Sequence, residues 1–148
     1  MIDAQLPLFH TYTEPITHGL IVREPWASMI LSGQKSIEIR GTNTKIRGPI
    51  AIIPSGTGTI AGVVHLVNVT GPLDLHTYNR ISISYGNTNE KETSLPYKRT
   101  YAWQLTTPYK LPSPLPYIHP TGAVIWVKLD ENVQVGLQHL IEKRHAHK

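Results

Sequence analysis

The run IAGVVHLVNV, Ile60 to Val69, does more than any other stretch to limit what this chain can fold into. It is long, and β-branched side chains recur along it. Such side chains are stiff about χ1 and pack well on a pleated surface, so the run belongs in a sheet. Just upstream, Pro49 to Pro54 reads as a second strand, and the glycines of SGTGT supply a turn between the two. KSIEIR, Lys35 to Arg40, alternates with a period of two: Ser36, Glu38 and Arg40 share one face, Ile37 and Ile39 the other. TYAWQL and GAVIWVKL are two further strands.

Helices are fewer. In REPWASMILSG, Pro25 suits the first helical turn, where its missing N–H is no loss. Trp26, Met29 and Ile30 follow i, i+3, i+4 spacing, and Gly33 suits a left-handed cap. PLDLHTYN predicts a short helical turn, and residues 131–146 a closing helix with Val133, Leu137, Leu140 and Ile141 on one stripe. TTPYKLPSPLPYIHP carries five prolines and reads as an extended crossing segment between two strands. Ser84 to Pro96 is polar and reads as a long loop, of a kind that is often functional. The expected organisation is an extended arm over 1–18, a domain over 19–130, and a C-terminal helix with a basic tail over 131–148. Strands with few helices imply an α+β fold that is mainly β, a small barrel with helices packed outside it.

Composition removes several classes. With 40% hydrophobic and 16% charged residues the chain is too apolar to be disordered. No run of ~18 apolar residues exists, so no membrane-spanning helix is expected. MIDAQLPLFHTYTEP has no basic region followed by an apolar one, so no signal peptide is expected either. The absence of cysteine removes disulfides, thiolate metal ligands and a cysteine nucleophile, and fits a reducing cytoplasm. Asn68-Val69-Thr70 is then a chance match to a glycosylation acceptor. A net charge of +4 and a pI near 9.4 mildly favour an anionic partner such as nucleic acid, although no long Lys/Arg cluster occurs. The tail EKRHAHK reads first as a solubilising end.

Among motifs, SGTGTIAG lacks a Gly-Lys-Ser/Thr and leads into a strand, so it is a hairpin turn and not a phosphate loop. His145 and His147 sit at a terminus without a third ligand, so no metal site and no cofactor are expected. Trp103 and Trp126 lie inside strand-like runs and read first as core, while Trp26 at a helix start is placed to border a cleft. In the arm, QLPLF resembles the Gln-Leu-x-Leu-Phe peptide by which bacterial proteins dock on the DNA sliding clamp. There Leu6, Leu8 and Phe9 would enter an apolar groove while Gln5 bonds at its edge. Ordering a flexible arm makes such binding weak, and the alternative is that these side chains pack back on the domain.

VREPWASMILSGQKSIEIRG resembles the signature of the ASCH domain, a member of the PUA-like superfamily. That signature has a Pro-aromatic pair, a helix and then Gly-x-Lys-x-x-Glu-x-Arg, here Pro25, Trp26, Gly33, Lys35, Glu38 and Arg40. The resemblance extends over roughly Gly19 to Leu129, with supporting pattern in RGPIAI, IAGVVHLVNV, YAWQL and GAVIWV. It implies a small β-barrel whose cleft floor carries the motif charges, and a link to RNA. Some relatives are amidohydrolases that cleave acyl groups from the exocyclic amine of cytidine nucleosides, and at least one is described as a ribonuclease. One amidohydrolase has Lys-x-x-Thr where this chain has Lys35 and Glu38, so that hydroxyl nucleophile is absent here; other hydrolase-like members keep Lys-x-x-Glu.

The residues themselves leave three arrangements open. A lysine base must fall from about 10.4 by roughly three pH units, worth about 4 kcal/mol, to act near neutrality. Burial and Arg40 push Lys35 that way, while pairing with Glu38 pushes it back. If Glu38 pairs with Arg40, Lys35 is released to act; if it pairs with Lys35, the trio is a structural or anion-binding network. With Glu38 as base, Lys35 or Arg40 would stabilise an oxyanion. The expected site therefore has Lys35 and Glu38 as a catalytic pair, with Pro25, Trp26, Arg40 and Trp103 contacting RNA or a modified nucleoside. A non-enzymatic adaptor docked through Gln5, Leu6, Leu8 and Phe9 is the reading from another class.

Overall fold

The computed structural model describes residues 14–84 and 91–146, so the clamp-like segment Gln5 to Phe9 lies outside the described residues. In chain order the elements are β1 (His18–Val22), α1 (Trp26–Ser32), β2 (Ile37–Arg40), β3 (Gly48–Pro54), β4 (Thr59–Thr70), α2 (Leu75–Ser84), β5 (Tyr101–Pro116), β6 (Trp126–Lys128) and α3 (Glu131–Ala146). Among the described residues the six strands form one mixed sheet in the order β2-β5-β4-β3-β1-β6, curled into a half-barrel with helices against it. Only β1 and β3 pair in parallel; the other neighbours are antiparallel.

The sheet buries both faces. Leu20, Val22, Ile50, Ile52, Val64, Leu66, Trp103 and Leu105 pack under α1, while Ala51, Ile53, Val63, Leu111 and Val127 pack under α3. Alternation along β3 assigns Ile50 and Ile52 to one side and Ala51 and Ile53 to the other, as the pleat requires. On β4 the assignment changes parity. Ile60 and Val63 lie on the same side although three residues apart, and the pairing with β5 is irregular between Ile60 and Gly62. Such an irregularity twists a strand and re-aims its side chains. Gly62 is required here: a Cβ would stand 2.5 Å from the Tyr109 carbonyl oxygen and 2.6 Å from Leu31 of α1.

Four local expectations need correction. HGLIV is a strand, where no element was expected between the arm and the first helix. Its apolar run is too short and too uniform to show alternation, because both of its faces are covered. The proline-rich segment is strand as well, since β5 continues through Pro108, Pro112, Pro114 and Pro116. β2 pairs with β5 only over Tyr101–Gln104, so beyond that point one edge of β5 has no neighbouring strand among the described residues, and missing N–H groups there cost no ladder bond among them. The turn at PLDLHTYN is a ten-residue helix, α2, opened by Asp74, whose Oδ1 accepts the Thr77 N–H at 2.7 Å. The last strand is shorter than GAVIWVKL, reaching only from Trp126 to Lys128.

α3 forms over 131–146 with Leu137 and Ile141 buried and Val133 and Leu140 packed beside them, as the stripe required. Among the described residues no helix is long and apolar enough to cross a membrane.

Candidate functional site

The turn between α1 and β2 sets the site. Gly33 takes the left-handed conformation, φ 85°, and donates its N–H to the Ile30 carbonyl. Lys35 N then bonds the Met29 carbonyl at 3.0 Å, which folds the chain back before β2 starts. Lys35 precedes the strand, so strand parity does not bind it, and its Nζ donates to the Ile37 carbonyl oxygen at 2.5 Å. Glu38 and Arg40 sit on one face of β2, opposite Trp103 and Tyr101 of β5.

The three charged heads converge. Arg40 Nε donates to Glu38 Oε2 at 2.8 Å, and Lys35 Nζ stands 3.7 Å from Glu38 Oε1. The first is a charge-assisted hydrogen bond; the second is an ion pair beyond hydrogen-bond reach. Arg40 Nη2 also donates to the Ile21 carbonyl at 2.7 Å. That bond joins β2, at one end of the strand order, to β1 near the other end, so it crosses the mouth of the curled sheet. Trp103 of β5 and Trp126 of β6 make a second such crossing, stacked at 5.7 Å and 13°. The Arg40 guanidinium lies 5.8 Å from the Trp103 ring centroid.

A recess of about 750 Å³ opens at this mouth, with Lys35, Glu38 and Arg40 in its wall and Trp26 and Tyr97 among its exposed side chains. The size and the few convergent polar groups are those of a small-ligand site. Lys35 is 3% exposed and Glu38 5%. Burial pushes the Lys35 ammonium below the ordinary lysine value; Glu38 opposes this and Arg40 adds to it. Glu38 Oε1 is buried and has no hydrogen-bond partner. Two cations face one anion, so the recess can hold a carbonyl or phosphate oxygen on its cationic side and an N–H donor at Glu38.

The expected residues divide. Lys35, Glu38, Arg40 and Trp26 line the recess. Trp26 is 46% exposed, because the buried stripe of α1 is Ala27, Ile30 and Leu31, one residue along from the expected Trp26, Met29 and Ile30. Trp103 is 0% exposed and stands behind the wall, its indole N–H donating to the Thr42 carbonyl at 3.0 Å. No face of it is open to a base. Pro25 caps α1 and is not part of the recess wall.

Several wall residues escaped the sequence reading. Glu24 lines the recess while its carboxylate holds the first turn of α1, accepting the Ser28 N–H at 3.0 Å and the Ser28 hydroxyl at 2.9 Å. Pro96 and Tyr97, from the end of the long loop, complete the rim. That loop is tied to α2 where Asn79 bonds both the carbonyl and the N–H of Glu92, at 3.1 and 2.8 Å. No local signal marks Tyr97; only the tertiary return of the loop brings it here. Among the described residues no three His, Asp or Glu side chains gather as a metal site would need.

Comparison with known proteins gives a family and a fold. The model of the ASCH domain matches residues 20–113. No curated protein sequence matches. Among solved structures, ASCH from Zymomonas mobilis aligns with a TM-score of 0.57 at 15% identity, covering 83% of this chain and 94% of that one. A serine-to-alanine mutant of that protein gives 0.59 at 16% identity, covering 86% and 99%. At such identities the likeness is one of fold.

Proposed function

The chain belongs to the ASCH domain family, and we propose that it binds RNA or a modified nucleoside by drawing one base into the recess at the barrel mouth. The observation that carries this is the buried Glu38 Oε1 without a hydrogen-bond partner. An unsatisfied buried acceptor costs roughly 1–3 kcal/mol, more for a charged one. The exocyclic amine of cytosine or adenine is a donor suited to it. Lys35 and Arg40 offset the charge and face carbonyl or phosphate oxygens, and Trp26 offers an exposed indole for stacking.

The test is fluorescence anisotropy on a short single-stranded RNA over a range of salt. Wild type is expected to bind with an affinity that falls as salt rises. Glu38→Gln is expected to lose roughly tenfold or more, since a bond to a charged acceptor is worth about 1.5–3 kcal/mol. Equal affinity of the two proteins would refute the reading.

A second reading is hydrolysis of an acylated exocyclic amine, and the lowered Lys35 supports it. Lys35 in its neutral form would take a proton from water as the water oxygen adds to the acyl carbon. The C–N bond then breaks, and the proton passes to the departing amine, giving a carboxylic acid and the free nucleoside. Chromatography of N4-acetylcytidine with wild type and Lys35→Ala decides it. Deacylation that the variant loses supports an enzyme; an intact substrate in both removes the reading.

A further inference from the structure

A second hollow of about 570 Å³ adjoins the recess and shares Ile21, Ser55 and Val124 with it as a common wall. Its other side is made by the β3–β4 turn at Gly56 to Gly58 and by Tyr117 and His119, just past β5. Gly56 and Gly58 have φ values of 81° and 66°, the left-handed region that favours glycine, so the turn itself requires them. The two sides are joined where Tyr117 N donates to the Gly58 carbonyl at 3.2 Å.

Tyr117 and His119 form an oriented pair. The Ala123 carbonyl can only accept, so His119 donates to it from Nε2, at 2.8 Å. In the neutral ring Nδ1 is then an acceptor, and the Tyr117 hydroxyl donates to it at 2.7 Å. The phenol proton is thereby committed, while the phenol oxygen keeps capacity to accept. The two rings stand 5.8 Å apart at 57°, and the backbone at residues 120–123 is closed by a bond from Ala123 N to the Pro120 carbonyl. Val124, on the shared wall, is 76% exposed.

We propose that this hollow is a second subsite, taking the nucleotide next to the base held in the recess, with Tyr117 and His119 as its recognition pair. The ligand is then a single-stranded oligonucleotide and not a free nucleoside. This rests on the reading of the recess as a base pocket. A base drawn in from a chain keeps its neighbours attached through the sugar-phosphate backbone, and the two hollows meet at the shared wall of Ile21, Ser55 and Val124, over which that backbone would run. Single-stranded binders place successive bases on successive aromatic surfaces along one groove. Here exposed Trp26 and Tyr117, half-buried and packed against the α3-side cluster, line adjoining hollows. The phenol oxygen accepts from a ribose hydroxyl or a base N–H, which a bare phosphate does not offer.

Affinities of cytidine (by NMR titration) and of a short oligocytidylate RNA (by anisotropy) test this with wild type, Trp26→Ala, Tyr117→Ala and His119→Ala. Wild type is expected to bind the oligomer at least tenfold more tightly than cytidine. Tyr117→Ala is expected to lower oligomer affinity by roughly tenfold, the scale of one stacked base, and to leave cytidine unchanged. His119→Ala, at an exposed side chain, is expected to move the oligomer in the same direction by less. If both variants bind the oligomer as wild type does, or lose both ligands equally, while Trp26→Ala still weakens cytidine, this inference alone falls. Absence of binding by wild type to either ligand overturns it together with the base-pocket reading.

Discussion

The two faces of the sheet are built from the same strands yet end differently. Under α3, Ile53, Ile60, Val63, Leu111, Val127, Leu137 and Ile141 close on one another, and the cluster is apolar throughout. Under α1 an equally apolar cluster runs as far as Trp103 and then meets Lys35, Glu38 and Arg40. A small domain can stabilise itself with closed faces alone, and replacing a buried ion pair by well-packed apolar groups is often neutral or stabilising. Charges held beneath the surface at one end of one face are therefore not explained by stability alone.

The strongest way to break this contrast is Glu38→Ala. Removing one partner of a buried pair leaves uncompensated charge at Lys35 and Arg40 and is expected to cost about 3–5 kcal/mol, read by urea denaturation, with RNA binding lost as well. Leu137→Ala on the opposite face is expected to cost roughly 2–5 kcal/mol through a cavity, while RNA affinity at low temperature stays that of wild type. If Leu137→Ala reduced RNA affinity in the folded state, the two faces would not be separable.

The same contrast governs what could be read in the sequence. The charged trio was legible because its spacing is local: Glu38 and Arg40 share a strand face, and Gly33 turns Lys35 toward them. The apolar strands β3 and β4 and the helix α3 were legible by periodicity. The rest depended on contacts remote in sequence. β1 has no alternation to show, because neighbours on both sides bury it. β5 passes through four prolines where one of its edges has no strand partner among the described residues, and sequence does not say which edges lack one. Trp26 faces outward because α1 rests on the sheet one residue round from the stripe its larger side chains suggested. Tyr97 joins the rim only through the return of a long loop, and the Arg40–Ile21 bond exists only because the sheet curls.

Trp26→Ala sharpens the comparison at the exposed end of the α1 face. Trp26 is 46% exposed and lies outside the apolar clusters, so stability is expected to change by no more than about 0.5 kcal/mol. Nucleoside and RNA affinity are expected to fall by roughly fivefold or more, the low end of a lost stack. A large drop in stability with unchanged affinity would place the indole in the core's service instead.

The smallest expected effect is also the most specific to the open face. Burial lowers Lys35 from its ordinary 10.5, with Arg40 adding to burial and Glu38 restraining it. Between the folded value and 10.5 the unfolded chain binds more protons at this residue than the folded one does, so raising the pH through that window favours folding. Below the window the penalty of burying the ammonium is present in full. Lys35→Met removes that titration while keeping an apolar stem of similar length. In paired denaturation series, wild type is therefore expected to gain stability relative to Lys35→Met as the pH rises towards 10.5, and other alkaline titrations cancel in the difference. A flat difference would mean that Glu38 holds Lys35 charged throughout. The trio would then be a fixed ionic network, and the hydrolytic reading, which needs a neutral amine, would lose its physical basis while base binding at Glu38 stood.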